Sequence, residues 1–163
     1  MKYLILSIAF SVCLPALGRQ ENVTTDKWVQ VSICRITFLL PPDMKNLDYH
    51  GVDSCAAGFS NGQMSLSLDY GFYSSAHNKT KTDLEYKQQT ITIGGKPGTF
   101  ETFIDDSAWG RQSPQNKYAA HAHVLTKPGS PSERETSLML SVRGKSAEAQ
   151  EIARRIFDSV RFQ

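Results

Sequence analysis

The segment from Asp53 to Tyr70 constrains this chain most. Two runs of β-forming residues, Asp53 to Phe59 and Gln63 to Tyr70, flank Ser60-Asn61-Gly62. Asn-Gly between such runs signals a hairpin, because the central residues of its tight turn take φ > 0, which asparagine and glycine tolerate best. The second run alternates without a slip, with Met64, Leu66, Leu68 and Tyr70 against Ser65, Ser67 and Asp69. A period of two sends these sets to opposite faces, so the chain is committed to an antiparallel sheet with one packed face.

The remaining segments extend that sheet. Trp28 to Leu40 is rich in β-formers and stops at Pro41-Pro42, which cannot donate to a ladder. Its apolar phase changes parity between Ile33 and Cys34, which predicts a bulge or a strand break there. Thr90 to Ile93 and Thr99 to Ile104, on either side of Gly94-Gly95-Lys96-Pro97-Gly98, predict a second hairpin. Tyr118 to Leu125 and Thr136 to Val142 are two further strands, with a Pro-, Gly- and Ser-rich connection from Lys127 to Glu135. Thr82-Asp83-Leu84-Glu85 has the form of a capping box and predicts a short helix running to Gln88.

The chain ends in its clearest helix. Ser146 is the expected N-cap, Glu148 and Glu151 lie early, and Arg154 and Arg155 lie late, as the macrodipole favours. Ala149, Ile152, Ala153, Ile156 and Val160 form one apolar stripe, and Glu151 and Arg155 are spaced to pair. The predicted fold class is α+β: an antiparallel β-sheet covered by a C-terminal α-helix and a short central helix.

The first eighteen residues read as a secretory signal peptide: Lys2, an apolar run from Tyr3 to Leu14, then Ala16 and Gly18 at the small-residue positions before Arg19. The apolar run has 12 residues, against the roughly 20 that a membrane-spanning helix needs. Cys13 is preceded by Val12, which is not the small residue that lipid attachment calls for, so Cys13 is read as part of the discarded segment. Residues 19–163 then form a single domain of 145 residues with 17 basic and 16 acidic side chains, a balance unlike a nucleic-acid footprint or a polybasic membrane surface. Cleavage leaves Cys34 and Cys55, and in an oxidising compartment two cysteines form one bridge, worth roughly 3 kcal/mol for a loop of about 20 residues. Asn22-Val23-Thr24 and Asn78-Lys79-Thr80 are glycosylation sequons if the host is a eukaryote. The expected localisation is secreted or periplasmic.

Three segments in this order carry a family resemblance: Phe38-Leu39-Leu40-Pro41, the strand-glycine-strand unit from Ile91 to Gly98, and the helix running into Ala153-Arg154-Arg155-Ile156-Phe157-Asp158-Ser159-Val160-Arg161-Phe162. Together the chain resembles the PsbP-like α+β sandwich superfamily. That resemblance implies a small binding or assembly protein without a shared catalytic residue, and it transfers no site to any position here.

Motifs with chemical meaning are few. Gly58-Phe59-Ser60-Asn61-Gly62 matches the nucleophile elbow G-x-S-x-G, but that chemistry needs a strand-to-helix turn and here a strand follows, so Ser60 reads as a turn serine. His121 and His123 share one strand face and would make half of a zinc or copper site, with His50, Asp53 or His77 as a third ligand. Tyr118, Ala120, Ala122 and Val124 occupy the apolar face, so both histidines are expected on the solvated side. Asp105-Asp106, and Asp48 with Asp53, are carboxylate pairs better read as solvated loop residues than as an acid–base couple. Trp109, inside the long polar loop from Asp105 to Asn116, is a candidate partner-binding anchor or a lid folded back on the sheet.

The function these readings imply is a secreted or periplasmic, non-catalytic protein-binding module, in one form an inhibitor or immunity-type protein. It would use one sheet face or the Asp105 to Asn116 loop. The expected partner is another extracytoplasmic protein, with no nucleic acid, no cofactor and no stable membrane insertion after signal cleavage. The competing reading is a small extracytoplasmic metal-binding protein or enzyme using His121 and His123.

Overall fold

The structure, a computed structural model, describes residues 27–49, 51–72, 74–127 and 136–163. The expected signal peptide, the sequon at Asn22 and His50 lie outside the described residues. In chain order the strands are β1 (Val29–Ile33), β2 (Ile36–Leu40), β3 (Lys45–Asn46), β4 (Ser54–Ser60), β5 (Met64–Gly71), β6 (Asp83–Ile93), β7 (Lys96–Asp105), β8 (Tyr118–Lys127), β9 (Thr136–Gly144) and β10 (Arg161–Phe162). The helices are α1 (Ala108–Gln112) and α2 (Glu148–Asp158). A seven-stranded antiparallel sheet runs β3-β4-β5-β9-β8-β7-β6, and a three-stranded one runs β1-β2-β10. Among the described residues no helix is long and apolar enough to cross a membrane.

The alternating side chains of β5 set the core as expected, with Met64, Leu66 and Leu68 buried and Tyr70 packed at its edge. Beside them on the same face stand Leu138, Leu140 and Val142 from β9 and Ala120, Ala122 and Val124 from β8. Helix α2 lays Ala149, Ala153, Ile156 and Phe157 on that face, and β2 closes the core with Ile36, Phe38 and Leu40. Burial of each large side chain stabilises by about 1.5–3 kcal/mol. The small alanines of β8 and α2 leave room for Phe157 to meet Phe100 edge-on, with ring centroids 5.8 Å apart.

The parity change at Ile33 is a strand break. Ile33 pairs with Ile36 across a two-residue turn, with Cys34 (φ 55°) and Arg35 (φ 59°) both left-handed. A disulfide joins Cys34 to Cys55 in β4, with the Cα atoms 5.5 Å apart, and so ties the turn of the small sheet to the large one.

Four sequence expectations are corrected. The helix expected from Thr82 to Gln88 is the start of β6. The Asp83 carboxylate turns back to accept from the Thr80 N–H (2.6 Å) and hydroxyl (2.9 Å), while Glu85 is left-handed (φ 54°) at a register shift between Leu84 and Lys87. The second helix is α1 instead, within the segment expected to be a long loop; Ser107 caps it by accepting from the Gly110 N–H. At the Asn-Gly hairpin only Gly62 (φ 80°) is left-handed, and the Asn61 Oδ1 accepts from the N–H groups of Gln63 (3.0 Å) and Met64 (2.9 Å). The N-cap of α2 is Ala147, with no side-chain bond; Ser146 offers only its carbonyl, to the Ala149 N–H. Along α2, Arg154 pairs with Asp158 at 2.9 Å, and Arg155 lies over the Trp28 ring at 4.0 Å.

Candidate functional site

The site is built on the sheet face opposite α2. Strand register sets its rows. In one row Glu101 (β7), His121 (β8), Ser141 (β9), Ser67 (β5) and Gly58 (β4) stand side by side; the next holds Phe103, Ala119, Arg143 and Ser65. Residues paired across antiparallel strands share a face, so this surface follows from backbone pairing alone.

At the β6–β7–β8 end the face is covered. The His77 ring stacks on Phe103 at 4.7 Å and 10°, and it meets His121 edge-on at 4.7 Å. The His77 Nε2 lies 2.9 Å from Asp83 Oδ2, within hydrogen-bond reach. His121 is therefore buried, 6% exposed, and not solvated. The sequence placed its strand face correctly but could not show that residues 74–83 return across it. Neither ring nitrogen of His121 has a hydrogen-bond partner among the described residues, nor does Glu101 Oε2. Burial, then the neighbouring His77 and Arg143, push the His121 pKa from 6.5 down to about 3, so the ring is neutral at physiological pH. Burial raises the Asp83 pKa, but the hydrogen bonds from Thr80 and His77 outweigh it and the carboxyl is held below its ordinary value. The Tyr86 phenol is pushed up, first by burial and then by Glu101.

The middle of the face carries small polar side chains. Ser65 and Ser141 are half-buried and Ser67 is exposed. On one side of this floor Trp109, from α1, lies over the Arg143 guanidinium at 4.8 Å and is 50% exposed. Arg143 is fixed beneath it by Asp105 at 2.8 Å. Burial raises the Asp105 pKa, but the bonds from Ser107 and Arg143 prevail and lower it. Trp109 is thus both a partial cover and a partly open ring. On the other side, a β-carbon added at Gly58 would touch Tyr49 (3.4 Å) and Leu47 (3.5 Å), so the segment after β3 folds onto the same face. Leu47 (56%) and Tyr49 (59%) are exposed there, and Val52 (98%) is exposed further along the chain. They were not picked out from sequence, although three large apolar residues within an otherwise polar stretch from Lys45 to Asp53 are a readable signal.

The other sequence candidates fall elsewhere. Ser60 is a turn serine: its Oγ donates to the Met64 carbonyl (3.0 Å) and accepts from the Gly62 N–H (3.1 Å). Asp105 is buried against Arg143, and Asp106 faces Arg111; Asp48 and Asp53 are exposed. Of the third ligands considered for His121 and His123, Asp53 stays apart in an exposed bend, whereas His77 does reach His121. Among the described residues no group of three His, Cys, Asp or Glu side chains could hold a metal ion. Asn78 is exposed.

No family model matches the chain, and no curated protein matches it. Among solved structures it is similar to the Ran-binding protein Mog1p of Saccharomyces cerevisiae, with a TM-score of 0.45 and 10% identity over 83% of this chain and 95% of that one. It is also similar to a point mutant of the protein Mog1, with a TM-score of 0.43 and 12% identity over 83% and 96% of the two chains. The expected resemblance to the PsbP-like superfamily is corrected by these findings: the chain is similar to solved structures of Mog1 instead.

Proposed function

We propose that this protein is a non-catalytic protein-binding module that holds an extracytoplasmic partner across the sheet face opposite α2. One observation carries the reading: a floor of small side chains (Gly58, Ser65, Ser67, Ser141) between two flanks of exposed large apolar groups, Leu47 and Tyr49 on one side and Trp109 on the other. Aromatic anchors beside a flat, hydrogen-bonding floor suit a folded protein surface better than a small substrate, which needs a concave pocket. The Cys34–Cys55 bridge supports an oxidising compartment. An inhibitor or immunity-type protein is one form such a module takes.

Affinity capture from the extracytoplasmic fraction tests the reading. One stoichiometric partner is expected, retained by the wild type and lost on Trp109→Ala and on the paired change Leu47→Ser with Tyr49→Ser. Equal capture by both variants at unchanged thermal stability would refute the assigned surface.

A further inference from the structure

Between β5 and β6 the chain crosses the face opposite α2 as a strap, residues 74–82. Only Ser74, His77 and Thr82 of this strap are half-buried, and the rest is exposed. Residues 75–79 make no backbone–backbone hydrogen bond among the described residues. Ser137 fastens one end, donating from Oγ to the Ser74 carbonyl (2.6 Å), and the Asp83 carboxylate fastens the other through Thr80. The middle is held by the His77 ring, on Phe103 and against His121, and by Lys79 over the Tyr86 ring at 5.0 Å.

His121 is the group that this cover isolates. The charged and titratable groups around it are His77 of the strap, Asp83 and Tyr86 of β6, Glu101 and Asp105 of β7 and Arg143 of β9, with His123 two residues along its own strand. Neither ring nitrogen reaches a hydrogen-bond partner among the described residues, so a charged ring has no acceptor for either N–H while the strap is down. Burial, then His77 and Arg143, oppose that charge more than Asp83 and Asp105 favour it. Lifting the strap gives both N–H groups water.

We propose that residues 74–82 are an acid-released strap: proton uptake by His121 lifts the His77 ring off Phe103 and opens that end of the face to solvent. By linkage, each pH unit between 6.5 and about 3 raises the ratio of released to closed strap about tenfold. The Asp83 carboxyl, held below its ordinary 3.8, stays ionised over most of that range, so its end of the strap stays fastened. Phe103, 1% exposed when covered, shares a row with Arg143, so release adds an aromatic surface on the side of the face where Trp109 lies over Arg143. Use of that surface by a partner rests on the binding reading above; the release does not.

The test is a nuclear magnetic resonance titration of the oxidised full chain from about pH 7 to about 3.5, following the imidazole nitrogens and the through-space contacts between rings. The expected result is that His121 gains its proton and the His77–Phe103 contact is lost at one shared midpoint, while the Phe100–Phe157 contact of the core persists. Because the coupling is reciprocal, His77→Ala moves the His121 midpoint up by about one pH unit or more. In His121→Phe, and in His121→Gln as a second neutral replacement, the His77–Phe103 contact survives the whole range. A proton on His121 with that contact intact, a strap that stays down throughout, its release undiminished in both His121 variants, an unmoved His121 midpoint in His77→Ala, or loss of the Phe100–Phe157 contact at the same pH would each overturn the proposal. None of these readings needs a partner, so failure here leaves the binding reading standing.

Discussion

On the α2 side of the seven-stranded sheet, Leu66, Leu68, Ala122, Leu140 and Val142 are at most 1% exposed and make no polar demand. On the reverse of the same strands stand Ser67, His121, Ser141 and Arg143, and burial there is reached by stacking, ion pairing and a returning segment. The first face draws its stability from area removed from water. The second leaves His121 and Glu101 with buried atoms that no described residue hydrogen-bonds, a cost of about 1–3 kcal/mol each. A surface that keeps such groups is not optimised for stability alone. The difference teaches that the two halves of an alternating strand can be read for different things: one for the fold, the other for what the fold carries.

The sharpest break between the faces comes from truncating the core. Phe157→Ala on α2 should cost about 3–5 kcal/mol in denaturant unfolding, because a fully buried ring leaves a cavity under the sheet. The reverse face should show itself next, through pH. His121 has a folded pKa depressed to about 3 from 6.5, so its contribution is complete above 6.5 and falls away as the pH drops towards 3. Between pH 6.5 and about 4, stability should decline by about 3 kcal/mol, and His121→Phe should flatten that decline. The depressed Asp83 and Asp105 act only lower, as the pH falls below their ordinary 3.8. An unchanged slope in the variant would mean that another group causes the decline.

Smaller effects sharpen the contrast. Asp83→Asn keeps the shape but weakens the bonds from Thr80 and His77, and should lower stability by about 2 kcal/mol at neutral pH while freeing residues 74–82 to exchange amide hydrogens faster. Trp109→Ala removes one half-exposed cation–π contact and should cost no more than about 1 kcal/mol in thermal unfolding. If Trp109→Ala instead matched Phe157→Ala, the α1 flank would be part of the core and the separation of the faces would fail.

The sheet itself was legible because its signals are local. The alternation of β5, the Gly94-Gly95 turn and the apolar stripe of α2 each depend on residues within one element. The apolar parity of β8 placed His121 on the correct face for the same reason. What covers that face was not legible, since His77 reaches His121 only after the chain has left β5 and come back to start β6. The false helix at Thr82 to Glu85 has a related origin. Its capping pattern is a short-range fit, and it loses to a carboxylate that Thr80 and His77 hold from outside the pattern. Register, which brings Gly58 beside Ser67 and under Tyr49, cannot be read from one strand at a time.

The two outer strands of the large sheet have a bearing on how the protein behaves at high concentration. An open edge offers unpaired N–H and C=O groups to any neighbour, and a long flat one templates intermolecular pairing. Here one border is β3, only Lys45–Asn46, and the other is β6, whose ladder is broken between Leu84 and Lys87 and whose Lys87, Gln88, Gln89 and Thr90 face solvent. A stub at one border and, at the other, a strand broken between Leu84 and Lys87 with an exposed polar run after it make edge-to-edge growth into a fibril harder.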